Sequence, residues 1–178
     1  MRIIAACALV LMLASSVQAA DVDWKFYGGA SIAGPSSCFY DANTVAHTSS
    51  GYVRVWTKCL AQKDLVGERA KSDIDKITGN AIRKAREGYV PPIIVFGKME
   101  FDKALDVALY EEVANLVAIE PQAEIFEELN CSERMMRSLS VSLHVNGQSR
   151  FENKSGDWNY VAPEGNAATL LKILCPKQ

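Results

Sequence analysis

Histidine is scarce in this chain, with only His47 and His144 among 178 residues. A zinc site needs clustered His, Cys or carboxylate ligands at workable spacing, and two isolated histidines without a C-x-x-C pair do not supply one. The missing C-x-x-C also argues against thiol–disulfide exchange chemistry. G-x-S-x-G, a phosphate-binding glycine loop and a dinucleotide fingerprint are all absent, which removes the usual sequence signatures of hydrolases and nucleotide enzymes. Charge of one sign is lacking too. The 19 basic and 21 acidic residues give a net charge of −2, far from the positive footprint that nucleic acid requires. Past the first 20 residues no stretch approaches the ~20 apolar residues of a membrane span. No cofactor, metal or nucleic-acid partner is expected, and no internal repeat or low-complexity segment is evident.

Cysteine, by contrast, is plentiful, and its placement is informative. Cys7 lies in a short apolar leader, and Cys38, Cys59, Cys131 and Cys175 follow it. Arg2, the apolar run over residues 3–13 and the small-residue pattern Val17-Gln18-Ala19 read as an export signal over residues 1–19, cleaved after Ala19. Ile4-Ala5-Ala6-Cys7 looks superficially like a lipidation motif, but the apolar stretch ahead of Cys7 is too short to serve it, and no lipid anchor is expected. Cleavage would leave four cysteines in a compartment where disulfides persist, periplasmic or secreted. The roughly 160 residues left, 20–178, suit a single domain.

Within that domain the apolar pattern changes period twice. Residues 24–32 form an aromatic-rich strand candidate weakened by Gly28-Gly29, where a bulge or bend is expected. Strand candidates follow at residues 38–41 and 52–60, around a polar turn at residues 47–51. In the second of these, Val53, Val55 and Thr57 share one face, and Tyr52, Arg54, Trp56 and Lys58 the other. Cys38 and Cys59 are nearly equidistant from the turn, so pairing about its tip sets them opposite each other. Cys38–Cys59 is therefore preferred among the three possible pairings, leaving Cys131–Cys175 to fasten the last helix.

Across residues 64–121 the period moves toward 3.6. Val66, Ala70, Ile74, Ile77, Ala81 and Ala85 stripe one helix that ends before Gly88, and Phe101, Ala104, Leu105, Ala108, Leu109 and Leu116 stripe a second that stops before Pro121. Between them residues 89–97 are apolar and contain Pro91-Pro92, which resist both helix and central strand. Alternation returns at residues 139–145, Asn146-Gly147 is a strong hairpin signal, and residues 150–152 form the returning strand. Leu170, Leu171 and Leu174 mark a final helix over residues 166–174. The expected fold is α+β: an antiparallel sheet with a two-helix insert and a C-terminal helix, stapled by disulfides.

Chemistry is harder to place. His144 shares a strand face with Ser140 and Ser142, so a hydrolase built on it, or on a carboxylate pair, is the enzymatic alternative to a non-enzymatic protein. The runs Glu111-Glu112 and Glu127-Glu128 read as solvated faces. The better lead is recognition: Tyr52, Arg54 and Trp56, with Tyr40 nearby, form the kind of Trp, Tyr and Arg cluster that recognition patches favour, unless the helical insert covers it. Pro91 and Pro92 are a second candidate contact.

In order, the aromatic strand from Trp24, Phe39-Tyr40-Asp41-Ala42, Val53-Arg54-Val55-Trp56-Thr57-Lys58, Leu129-Asn130-Cys131 leading into Arg137-Ser138-Leu139, and the closing Trp158, Pro163 and Cys175 resemble the bacterial surface-adhesin protein E-like domains. That resemblance implies an exported antiparallel sheet packed with helix, and an interaction protein whose partners are host-matrix or envelope proteins. A homodimer with an envelope-structural role is a further alternative. The stretch over residues 64–121 is longer than the family leads one to expect, and no family binding residue carries over to a numbered position.

Overall fold

The computed structural model of the chain describes residues 22–29, 36–61, 65, 74–87, 101–116 and 122–175. The expected export signal, Val66, Ala70, Pro91 and Pro92 lie outside these residues.

Eight strands form one antiparallel sheet: β1 (Trp24–Gly29), β2 (Ser36–Asp41), β3 (Ala46–His47), β4 (Tyr52–Ala61), β5 (Gln122–Asn130), β6 (Met135–Val145), β7 (Gln148–Glu152) and β8 (Asn159–Tyr160). Their spatial order is β1-β2-β4-β5-β6-β7, with β3 added to β4 and β8 added to β6. Among the described residues three α-helices accompany the sheet: α1 (Ile74–Arg86), α2 (Phe101–Leu116) and α3 (Asn166–Leu174). The architecture is α+β, as the change of period implies.

Alternation along the strands divides the apolar side chains between two cores. Trp24, Phe26, Phe39 and Leu60 pack with Ile77 and Ala81 of α1 and with Val107, Ala108, Leu109, Val113 and Ala114 of α2. Tyr27, Cys38, Tyr40, Val53, Val55 and Leu129 pack with Ala168, Leu170, Leu171 and Leu174 of α3. The helical insert therefore covers one face of the β1-β2-β4 region and the C-terminal helix covers the other. Burying several such side chains, at about 1.5–3 kcal/mol each, is what holds helix to sheet.

Both disulfides join strands or helix as expected. Cys38 stands directly opposite Cys59 in the β2–β4 register, and the two are bonded. Cys131, just after β5, is bonded to Cys175 at the end of α3. The bulge expected near the glycine pair falls between Phe26 and Gly28. Gly28 has a packing reason besides: a Cβ there would lie 2.6 Å from Oδ1 of Asn166, the first residue of α3. Asn166 in turn donates from Nδ2 to Cys38 Sγ at 3.3 Å, so the start of α3 is seated on β1 and β2 together.

The acidic runs correct the expectation of solvated faces. Glu111, Glu112 and Glu128 are buried, at 0%, 6% and 0% exposure. Each has work at long range in the sequence. Glu111 Oε1 accepts from Phe26 N at 3.0 Å, while Asn115 accepts from Trp24 N at 2.7 Å and donates to Trp24 O at 3.2 Å. Helix α2 thereby occupies backbone groups of β1, the strand at one edge of the sheet. Glu112 ties the two insert helices together through Lys84 and through Asn80 Nδ2 at 3.1 Å.

Candidate recognition surface

Register decides which of the predicted site residues meet. Tyr52, Arg54 and Trp56 project from the same face of β4, as alternation requires. Tyr40 does not join them: it pairs with Thr57 across β2–β4, sits in the α3 core at 5% exposure, and has its hydroxyl pushed up to about 12 by burial and by the carboxylates of Glu111 and Asp23. The parity was available in the sequence, since Tyr40 is two residues from Cys38, whose partner Cys59 shares the face of Val55 and Thr57.

Lys58 belongs to the Trp56 face but lies beneath α2. Its Nζ donates to Ala114 O at 3.1 Å and sits 4.1 Å from the Trp24 ring centroid. Helix α2 carries no basic residue in its last turn, so a sheet lysine supplies the positive charge that its carbonyl end attracts. Burial lowers the Lys58 pKa from 10.5 to about 8, with Glu124 and Asp41 opposing that shift. The insert thus covers the Lys58 end of the face, and Trp56 stands at its margin, partly buried against the insert core.

Beyond that margin three groups of side chains line up across β4, β5, β6 and β7. The first is aromatic. Trp56 is paired in register with Phe126 and stacks on it with centroids 5.1 Å apart and planes 28° from parallel. Phe151 of β7 approaches Trp56 at 6.3 Å and is 59% exposed. Sequence reasoning did not pick out Phe126 or Phe151. The returning strand after Asn146-Gly147 was the signal for Phe151, but which strand lies beside β4 is a matter of topology.

The second is ionic. Arg54, Glu128 and Arg137 are directly opposite one another across β4, β5 and β6. Arg54 Nε donates to Glu128 Oε1 at 2.8 Å, and Arg137 Nε and Nη2 donate to Oε2 at 2.9 and 2.6 Å. Desolvation pushes the Glu128 carboxyl up, but the hydrogen bonds and charges of the two guanidinium groups outweigh it and hold the pKa below the ordinary carboxylate value. Trp158 lies over Arg137 at 4.5 Å and beside Tyr52 at 5.4 Å. The buried carboxylate fixes both arginines, and the Arg54 side chain remains 44% exposed.

The third surrounds His144. Ser149 Oγ is 2.8 Å from Nδ1; Ser142 Oγ and Glu124 Oε2 are 3.2 and 3.4 Å from Nε2. Gln122 Nε2 holds the other oxygen of Glu124 at 3.0 Å. A serine on one imidazole nitrogen and a carboxylate on the other are the partners that nucleophilic hydrolysis uses, though Ser142 shares Nε2 with the acid.

Two hollows lie away from the aromatic row. One is lined by Cys131, Arg134, Ala168, Leu171, Lys172 and Cys175, and the other by Leu143, Val145, Asn146, Gln148 and Arg150 around the β6–β7 turn. On the α3 face, Glu127 opposes Val55 in β4 and is one of the acidic residues expected in water. Burial pushes its pKa from 4.5 to about 7, against the opposing hydrogen bond from Thr57, and its buried Oε2 has no hydrogen-bond partner among the described residues. Burial, together with the nearby Glu127 charge, also raises the Tyr27 pKa. Comparison of the chain with family models, curated proteins and solved structures finds no match. Two disulfides fit a periplasmic or extracellular location, and among the described residues no helix is long and apolar enough to cross a membrane.

Proposed function

We propose that the chain is an exported, non-enzymatic binding protein that recognises a protein partner from the envelope or a host matrix, in the manner its resemblance to surface-adhesin protein E-like domains implies. The carrying observation is the aromatic row of Trp56, Phe126 and exposed Phe151, flanked by an Arg54 side chain that Glu128 holds in place. Large rigid aromatics beside a preorganised arginine are the residue types that dominate binding energy at protein interfaces, and fixing them beforehand lowers the entropy lost on binding. Pull-down with the oxidised protein from envelope and matrix extracts tests the reading. Trp56→Ala should weaken capture on the order of tenfold or more while leaving the circular dichroism unchanged. No specific partner from either source, or capture indifferent to Trp56→Ala, sinks it.

A second reading has one observation in its favour, the contact of His144 with Ser149 on one nitrogen and Glu124 on the other. A hydrolase using this arrangement would turn over a simple chromogenic ester and take up a fluorophosphonate label, both abolished by Ser149→Ala and by His144→Ala. A wild type that shows no turnover and takes up no label rules it out.

A further inference from the structure

The two edges of the sheet are finished differently. At β1, helix α2 engages the backbone of Trp24 and Phe26 through Asn115 and Glu111. At β7 all five residues are exposed, among them Phe151. An exposed strand edge presents a row of N–H and C=O groups ready to pair with another strand.

We propose that β7 is a docking edge for a second copy of this chain, the two β7 strands pairing antiparallel about a two-fold axis at Phe151. The backbone phase limits where the axis can fall. Asn146 and Gly147 have φ of 51° and 70° and form a two-residue turn flanked by the pair Val145 and Gln148. In such hairpins the flanking pair is hydrogen-bonded, so Gln148, Arg150 and Glu152 turn their backbone groups toward β6, while Ser149 and Phe151 turn theirs outward. Two identical antiparallel strands match in phase and in side-chain face only when the axis passes through a residue.

Charge selects among those residues. An axis at Arg150 or Glu152 sets like charges together, and one at Ser149 places Phe151 opposite a turn glycine. With the axis at Phe151, that residue exchanges both backbone bonds with its mate, and Arg150 stands opposite the partner's Glu152 in the closely spaced, non-hydrogen-bonded position, twice by symmetry. Phe151 meets the partner's Phe151, and the aromatic row from Trp56 continues across the seam. A seam of five residues buries little area, so the dimer is weak, in the micromolar range or above. This inference stands independently of the partner-binding reading.

Sedimentation equilibrium of the oxidised protein, from micromolar to near-millimolar concentration, tests it. Wild type should fit a monomer–dimer equilibrium. Phe151→Pro, which deletes an outward N–H at an edge that tolerates proline, should weaken the dimer on the order of tenfold or more. Arg150→Glu and Glu152→Arg should each sediment as monomers, and mixing the two should restore a dimer, because each variant alone sets like charges across the seam and the mixed pair sets opposite ones, as wild type does. The mixing result also decides the matter if Phe151→Pro fails to fold. A wild type monomeric throughout, or a dimer unmoved by these changes and by their mixing, overturns the proposal.

Discussion

Glu127 is a carboxylate whose burial sets a slope of stability against pH. Its folded pKa, about 7, lies above its ordinary 4.5, so between those values the native protein holds a proton that the unfolded chain releases. Stabilisation from this group is whole below pH 4.5 and is lost as pH rises through about 7, a loss on the order of 3 kcal/mol at most. Lys58 acts in a separate window: its folded pKa of about 8 lies below 10.5, so its contribution grows as pH rises from 8 to 10.5. Glu127→Gln should therefore flatten the denaturation midpoint between pH 5 and 8 and raise it at pH 8. A pH profile identical to that of wild type would show that Glu127 is not the group responsible. Glu128 acts in the opposite sense, because it stays charged for two arginines. Glu128→Ala should cost about 1–3 kcal/mol by chemical denaturation, because Arg54 and Arg137 lose their shared acceptor but stay partly in water.

At the scale of elements, the strands were legible and the helix contacts were not. Period-two alternation placed Val53, Val55 and Thr57 in a core, and the equal spacing of Cys38 and Cys59 about a turn gave the β2–β4 register before any contact was known. Helix stripes gave α3 its span, α1 its end before Gly88 and α2 its start near Phe101, while Val66 and Ala70 lie outside the described residues. The burial of Glu111, Glu112 and Glu128 could not be read, because it depends on how strands and helices pair: Phe26 is 85 residues from Glu111, Arg54 is 74 from Glu128, and even Arg137, 9 residues away, meets Glu128 only across the β5–β6 register. A carboxylate run looks solvated until topology brings it a cation or an edge strand. Gly28 is a related case, suggestive of a bulge from sequence but explained by Asn166 only once α3 is docked. Gly28→Ala would push Asn166 away from the sheet and from Cys38 Sγ, at a cost of about 1–3 kcal/mol in chemical denaturation. The double variant with Asn166→Ala should recover part of that loss if the clash is the cause.

Viewed whole, the molecule has a sheet covered on both sides at its β1-β2-β4 end, by the insert on one face and α3 on the other. The candidate surface lies beyond the sheet area that α1 and α2 cover, so sequence could name Tyr52, Arg54 and Trp56 but not the boundary that separates them from Lys58. The disulfides secure this arrangement at two places. Replacing Cys131 and Cys175 by serine should lower stability by about 4 kcal/mol in the chain-entropy account, and replacing Cys38 and Cys59 by about 3 kcal/mol. Thermal melts of each double variant check the order; equal losses would mean that loop length does not govern the difference. Because α3 carries Cys175 and rests on β1 and β2, loss of the Cys131–Cys175 bond should also raise amide exchange along α3 before it affects β4.

The pairing pattern carries one further consequence, for how the chain matures. The four bonded cysteines are joined as neighbours in sequence, the first with the second and the third with the fourth. Under the proposed export, a chain threaded N-terminus first into an oxidising space would expose Cys38 and Cys59 together before Cys131 arrives, and Cys131 would then wait only for Cys175. Oxidation in order of emergence yields the native set directly, with no bond to be broken and remade. Maturation should accordingly depend on a thiol oxidant and proceed without a disulfide isomerase.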